Sequence, residues 1–212
     1  MKTHVMKISN IPELVGDIVL IQLLIYFHGV VDCHLRQTRD ALQLGIRHID
    51  VTKADEYIEV ARAIKDSGIP RSHVFLTVRA SFLEDVSRTI DDALLALGTP
   101  YIDLFLTARE PYKHEWQLTI AWSAVEEIKV DERARSIGVA NMEMEDLSII
   151  VKQAERFLPV VNQVKFHPFY QQTEFLQWSK HQGVVTATYR PLDSVSRMAM
   201  EELASISAEN IF

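Results

Sequence analysis

Charged residues collect where the apolar runs of this chain break off. Arg79 follows FLTV, Arg109 and Glu110 follow YIDLFLTA, Lys165 and His167 end VNQVKFH, and Arg190 follows TATY. Such groups, brought to one end of a sheet from different strands, could bind and orient a polar small molecule. They could equally pair with one another as a structural ion network. Within YIDLFLTARE, Ala108 stands out as an apolar residue among polar neighbours. His48 lies two residues before Asp50 and reads as a packing histidine on the opposite face of the strand. His114 and Glu115 read as part of a solvated loop, and the pairs Asp91-Asp92 and Glu126-Glu127 as solvated helix faces. Trp116, Trp122 and Trp178 read as core or pocket walls. His4, His28, His34, His73 and His181 have no metal-ligand spacing, and no glycine-rich phosphate loop or nucleophile elbow is visible.

The elements that must position these residues alternate in type. Apolar strands are expected near 18–26, 46–51, 74–78, 101–106, 136–139, 160–166 and 184–188. Helices are expected near 31–44, 56–66, 83–97, 115–129, 144–157, 172–180 and 193–207. Gly45, Gly68 and Gly98 follow helices, where a left-handed cap is wanted. Short apolar strands alternating with helices specify a parallel sheet covered by helices, an α/β fold of the TIM-barrel type. About seven strand–helix units are countable where a full barrel has eight, so the barrel is expected to be incomplete.

With 212 residues and 48% hydrophobic content, the chain can bury a substantial core as a single domain. A net charge of -7 and an isoelectric point near 5.6 give no global attraction to nucleic acid or to an anionic membrane surface. The apolar run at 18–31 is interrupted by Gln22 and His28, too short to span a bilayer, and reads as a core strand. A lone cysteine, Cys33, excludes an intramolecular disulfide and fits a reducing compartment. A cytoplasmic address is expected.

GIRHID (45–50), AIKDSGIPR (63–71), YIDLFL (101–106), SIGVAN (136–141) and VNQVKFHPF (161–169) follow one another in an order and spacing that resembles the aldo-keto reductase family, over roughly 45–192. The resemblance implies a TIM barrel that reduces carbonyls with NADPH through an Asp, Tyr, Lys and His tetrad. Asp50 matches the family aspartate. The tyrosine position falls on Ala54 or Asp55, with Tyr57 the nearest phenol; the lysine position is Arg79 and the histidine position is Ala108. Guanidinium is larger than ammonium and always charged, so Arg79 cannot repeat the lysine's geometry. Asn141, Gln163 and Tyr189 match residues that contact the nicotinamide, while the family's phosphate-binding segment is expected to be missing.

Loss of most of the tetrad, together with the expected absence of the phosphate-binding segment, leads to the expectation of an enzyme that no longer uses NADPH. Its chemistry would be a cofactor-independent isomerisation, cyclisation, dehydration or ring closure on a small organic molecule. Asp50, Arg79, Tyr57 and Tyr189 are then the candidate catalytic residues, with Asp50 and Arg79 as an ion pair. Tyr26, His28, Arg109, Asn141, Gln163 and His167 are the candidate substrate-binding residues. The alternatives are a weak NADP-dependent oxidoreductase with Tyr57 as acid, and a non-catalytic binding protein. The expected first and last strands, 18–26 and 184–188, should pair with each other or leave open edges, and a homodimer would cover such edges.

Overall fold

A computed structural model of the chain describes residues 19–20, 33–81, 86–109, 114–165 and 172–189. Its strands are β1 (Val19–Leu20), β2 (His48–Val51), β3 (Phe75–Ser81), β4 (Ile102–Ala108), β5 (Ala134–Ala140), β6 (Val161–Lys165) and β7 (Val185–Tyr189). Its helices are α1 (Cys33–Gln43), α2 (Tyr57–Ser67), α3 (Val86–Leu97), α4 (Glu115–Val130), α5 (Met144–Gln153) and α6 (Thr173–His181). All strand pairs are parallel, in the order β1-β7-β6-β5-β4-β3-β2. This is the incomplete TIM-type barrel expected from the alternating pattern. The first and last strands pair, Val19 with Ala187 and Leu20 with Thr188. Among the described residues β1 and β2 form the two ends of the sheet. The expected first strand beyond Leu20 and the expected helix at 193–207 lie outside the described residues.

Side chains alternate across each strand, so the pairing register sorts every strand residue to one of two faces. On the helix-facing side Val51, Leu76, Val78, Phe105, Ile137, Val139 and Val164 pack with Val60, Ile90, Trp122, Val125, Leu147 and Ile150 of the helices. The barrel-facing side has its own small cluster, built from Leu104, Leu106, Val161 and Ala187 with Phe75 and Val185 against it. Gly138 belongs to this inner layer, opposite Leu106. A Cβ there would stand 2.6 Å from the Val161 carbonyl oxygen, so only glycine lets β5 and β6 approach this closely.

Three readings of individual residues change. His48 and Asp50 are two apart and therefore share a face, not opposite faces. His48 Nε2 lies 2.7 Å from Thr77 Oγ1, and its ring meets Phe75 edge-on at 4.6 Å. Glu126 is buried, not solvated: its Oε1 accepts the backbone N–H groups of Arg156 and Phe157, both at 2.8 Å, while Glu127 stays exposed and pairs with Arg156 at 2.9 Å. That carboxylate holds the loop after α5, which ends at Gln153 and not near Phe157. Trp122 is core and donates to Phe157 O at 3.0 Å, but Trp116 is 58% exposed and lies outside the core.

At the amino ends of the strands, far from the candidate site along each strand, Arg71 donates to Asp103 at 2.7 Å, to Thr99 and to the Tyr101 carbonyl. Arg71 and Arg135 both lie against the Tyr101 ring, with centroid distances of 4.3 and 3.7 Å. This cation–aromatic cluster staples the β3, β4 and β5 starts. It leaves the opposite, carboxyl ends of those strands to carry function.

Candidate active site

β2 and β3 pair with Asp50 opposite Thr77, so Asp50 faces the barrel interior one residue before its strand ends. Two positions further along β3, Arg79 faces the same way opposite Leu106 of β4. Arg79 Nη2 donates to Asp50 Oδ2 at 3.3 Å and, across the interior, to Gln163 Oε1 of β6. Gln163 Nε2 donates back to the same Asp50 Oδ2 at 3.2 Å. The three side chains therefore close a ring in which the amide orientation of Gln163 is dictated by a carboxylate on one side and a guanidinium on the other. The Asp50 side chain is 2% exposed and that of Arg79 is 16% exposed. Asp50 Oδ1 is buried with no hydrogen-bond partner among the described residues. A buried acceptor left in this condition is uncommon and marks a place where a further donor is wanted.

The reach of Arg79 depends on what lies beside it. Arg79, Leu106 and Gly138 are in register, and in the next inward layer Ala108, Ala140 and Gln163 are in register. Ala108, at the position that the family resemblance gives to a histidine, is followed across the sheet by a second alanine, Ala140, which is wholly buried. Ala108 is therefore one of two small residues in an inward layer at the carboxyl ends of β4 and β5.

His48 sits one layer below Asp50. Its imidazole is pushed below the ordinary histidine value by burial, against the opposing pull of the Asp50 and Asp103 carboxylates. It is neutral at physiological pH and acts as a hydrogen-bonded part of the floor.

The other candidates divide. Tyr57 begins α2 and packs in the helix-facing core, 3% exposed, away from the inward layers. Ala54 and Asp55, at the family tyrosine position, are exposed in a short 3-10 turn. Asn141 is exposed directly after β5, with its backbone in the left-handed region at φ 57°. Arg109 follows β4 and pairs with Glu143 at 3.2 Å and with Asp146. The backbone of Tyr189 pairs with that of Lys165 at the ends of β7 and β6. Tyr26, His28 and His167 lie outside the described residues, as do Glu110 and Arg190. The sequence reading missed two contributors. Asn162, wholly buried, binds the backbone of Met142, and Asp146, buried at the start of α5, binds Arg109. Asn162 could have been suspected, because a polar residue on the helix-facing side of a buried strand must find a partner.

A parallel barrel whose functional side chains gather at the carboxyl ends of β2, β3 and β6 is the architecture of an enzyme active site. The Aldo/keto reductase family model matches residues 33–203, and the chain belongs to that family. It is 28% identical over 197 residues to an aldehyde reductase of Saccharomyces cerevisiae, covering 78% of this chain and 62% of that protein. It is 33% identical over 158 residues to a morphine 6-dehydrogenase of Pseudomonas putida, covering 72% of this chain and 52% of that one. A glycerol 2-dehydrogenase (NADP(+)) of the same yeast is 28% identical over 191 residues, with 76% and 61% covered. The chain thus spans between half and two thirds of the length of these relatives. Among solved structures, an aldo/keto reductase from Brucella melitensis superposes with a TM-score of 0.75 at 29% identity, over 84% of this chain and 71% of that one.

These relatives overturn two expectations. Cofactor-independent isomerase or cyclase chemistry, and the absence of a redox cofactor, rest on the replaced tetrad residues and on the expected absence of the phosphate-binding segment. The family and its named reductases and dehydrogenases, one of them an NADP(+) enzyme, favour the oxidoreductase alternative instead. Substitution at individual tetrad positions was too weak a ground for discarding the redox reaction, because the inward carboxylate–cation pair is still present in altered form. Among the described residues no helix is long and apolar enough to cross a membrane, and no cluster of histidine, cysteine and acidic residues could hold a metal.

Proposed function

We propose that this chain carries the active site of an NADP-dependent oxidoreductase acting on a small carbonyl compound or the corresponding alcohol. The observation that carries the reading is the Asp50–Arg79–Gln163 ring at the carboxyl ends of inward-facing strands. The residues present fit the nicotinamide end of the cofactor. Asn141 offers an exposed amide at the rim, Gln163 is the inward residue of the neighbouring strand, and Asp50 Oδ1 is a buried acceptor with no donor among the described residues. When bound, NADPH supplies the hydride.

In this reading the chain's own residues bind and polarise the carbonyl. Arg79 is held by Asp50 and aims a permanently charged donor at the oxygen on which negative charge develops, a role that requires no proton loss from the guanidinium. Burial of Asp50 strengthens its hold on Arg79 by excluding water from one side of the pair. Because Tyr57 is packed in the helix-facing core, proton delivery to the oxygen is assigned to water at the mouth. The same reading retains a small-molecule substrate, a cytoplasmic address and a two-fold dimer as proposals, the last two open to cell fractionation and light scattering.

The test is a fluorescence titration with NADPH followed by a panel of aldehydes and ketones with NADPH oxidation as the signal. Saturable binding and carbonyl-dependent oxidation that Arg79→Met abolishes are expected. A protein that binds no NADPH and oxidises none with any carbonyl would refute the assignment.

A further inference from the structure

We infer that Arg109 is a positioning residue that holds Asn141 in its left-handed conformation, and not a ligand of the substrate. The inference deepens the NADP-dependent reading and rests on it for the role of Asn141. Non-glycine residues enter the left-handed region at a cost, asparagine less than most, and persist there only when their surroundings insist on it. Asn141, at φ 57°, is such a residue, exposed at the mouth immediately after β5.

Its surroundings insist from both neighbouring strands. On the β6 side, Asn141 N–H donates to Gln163 O at 2.9 Å. The next residue, Met142, donates its N–H to Asn162 Oδ1 at 3.3 Å and accepts from Asn162 Nδ2 at 2.9 Å, so a buried side-chain amide substitutes for a strand partner. On the β4 side, Arg109 N–H donates to Ala140 O at 2.8 Å. The Arg109 guanidinium then continues past the turn to Glu143 at 3.2 Å and to Asp146 in the first turn of α5. The Asp146 side chain is 5% exposed, so salt and solvent screen this pair less than an exposed one. Arg109 therefore ties the residue before Asn141 and the helix after it to one strand end. Two carboxylates share its charge, and that makes it a poor anchor for an incoming polar substrate.

The experiment compares the wild type with Arg109→Ala and Arg109→Lys by backbone hydrogen exchange, by NADPH dissociation constant and by the KM for a carbonyl substrate. In Arg109→Ala the amides of residues 141–143 should exchange about tenfold faster or more. The NADPH dissociation constant should rise by about tenfold while the carbonyl KM stays unchanged. Arg109→Lys should recover part of both losses by keeping one ion pair. Unchanged exchange in this turn would overturn the inference. So would a rise in the carbonyl KM with NADPH affinity intact, which would make Arg109 a substrate ligand. A wild type that binds no NADPH would remove the functional reading, and with it the cofactor role of Asn141, while the exchange measurement would still decide whether Arg109 holds the turn.

Discussion

Arg79 and Asp50 meet at 3.3 Å at the carboxyl ends of neighbouring strands, the guanidinium partly exposed and the carboxylate almost wholly buried. Breaking such a pair from one side leaves a charge without compensation, whereas removing both partners does not. Arg79→Met should therefore lower unfolding stability by about 3 kcal/mol, Arg79→Lys by clearly less, and Asp50→Asn combined with Arg79→Met should recover much of the loss. Urea denaturation of the three variants checks the order; equal losses in all three would detach stability from this pair.

The buried His48 makes stability depend on pH. Its folded-state value lies below the ordinary 6.5, so in mildly acidic solution the unfolded chain takes up a proton that the folded chain does not. The contribution is complete above about pH 7, falls as pH drops below the unfolded value, and levels off once the folded state is also protonated. His48→Gln should flatten this part of the profile. Denaturation midpoints between about pH 7 and about pH 5 test it, and an identical slope in the variant would assign the acid sensitivity to other groups.

Ala108 lies in the same inward layer as Ala140 and Gln163, next to the layer of Arg79. If the substrate's larger substituent occupies the space over β4, Ala108→Phe should cut turnover of a bulky aldehyde by about tenfold or more, with a much smaller effect on a short one. The NADPH dissociation constant should be unchanged. Steady-state kinetics on the two aldehydes reads this directly, and parallel losses on both would argue against a steric role.

At Gly138 an added Cβ would lie 2.6 Å from Val161 O and 2.7 Å from Val161 Cγ1. Backbone cannot yield cheaply, so Gly138→Ala should cost about 1–3 kcal/mol and loosen β5 against β6. Thermal melting provides the check. A melting temperature equal to that of the wild type would mean the strands separate freely at this point.

Much of this architecture was legible because it repeats. The strand–helix alternation, the glycines after α1, α2 and α3, and the five ordered motifs lead to a parallel barrel, and the structure has that form; of the charged residues expected at one end, Arg79, Arg109 and Lys165 stand at the carboxyl ends of β3, β4 and β6. Helix and strand ends shifted by a few residues, since end positions depend on packing that local composition does not encode. β4 continues to Ala108, and α5 stops at Gln153.

Residue type and period could be read from the chain alone: Asp50 and Arg79 near strand ends, Ala108 where the family resemblance has a larger residue, Gln163 within the strand expected at 160–166. Two-residue spacing in a strand also puts His48 and Asp50 on one face, against the expectation that they point opposite ways. Partners were set by the fold. It closed Asp50, Arg79 and Gln163 into one ring, sent Tyr57 to the helix-facing core, buried Glu126, and committed Arg109 to Asp146. The physical reason is that a strand's own period fixes which side a residue faces, while the identity of what it meets depends on register between strands. Gln163 is 84 residues from Arg79 in sequence, and only the registers from β3 through β6 bring the two together.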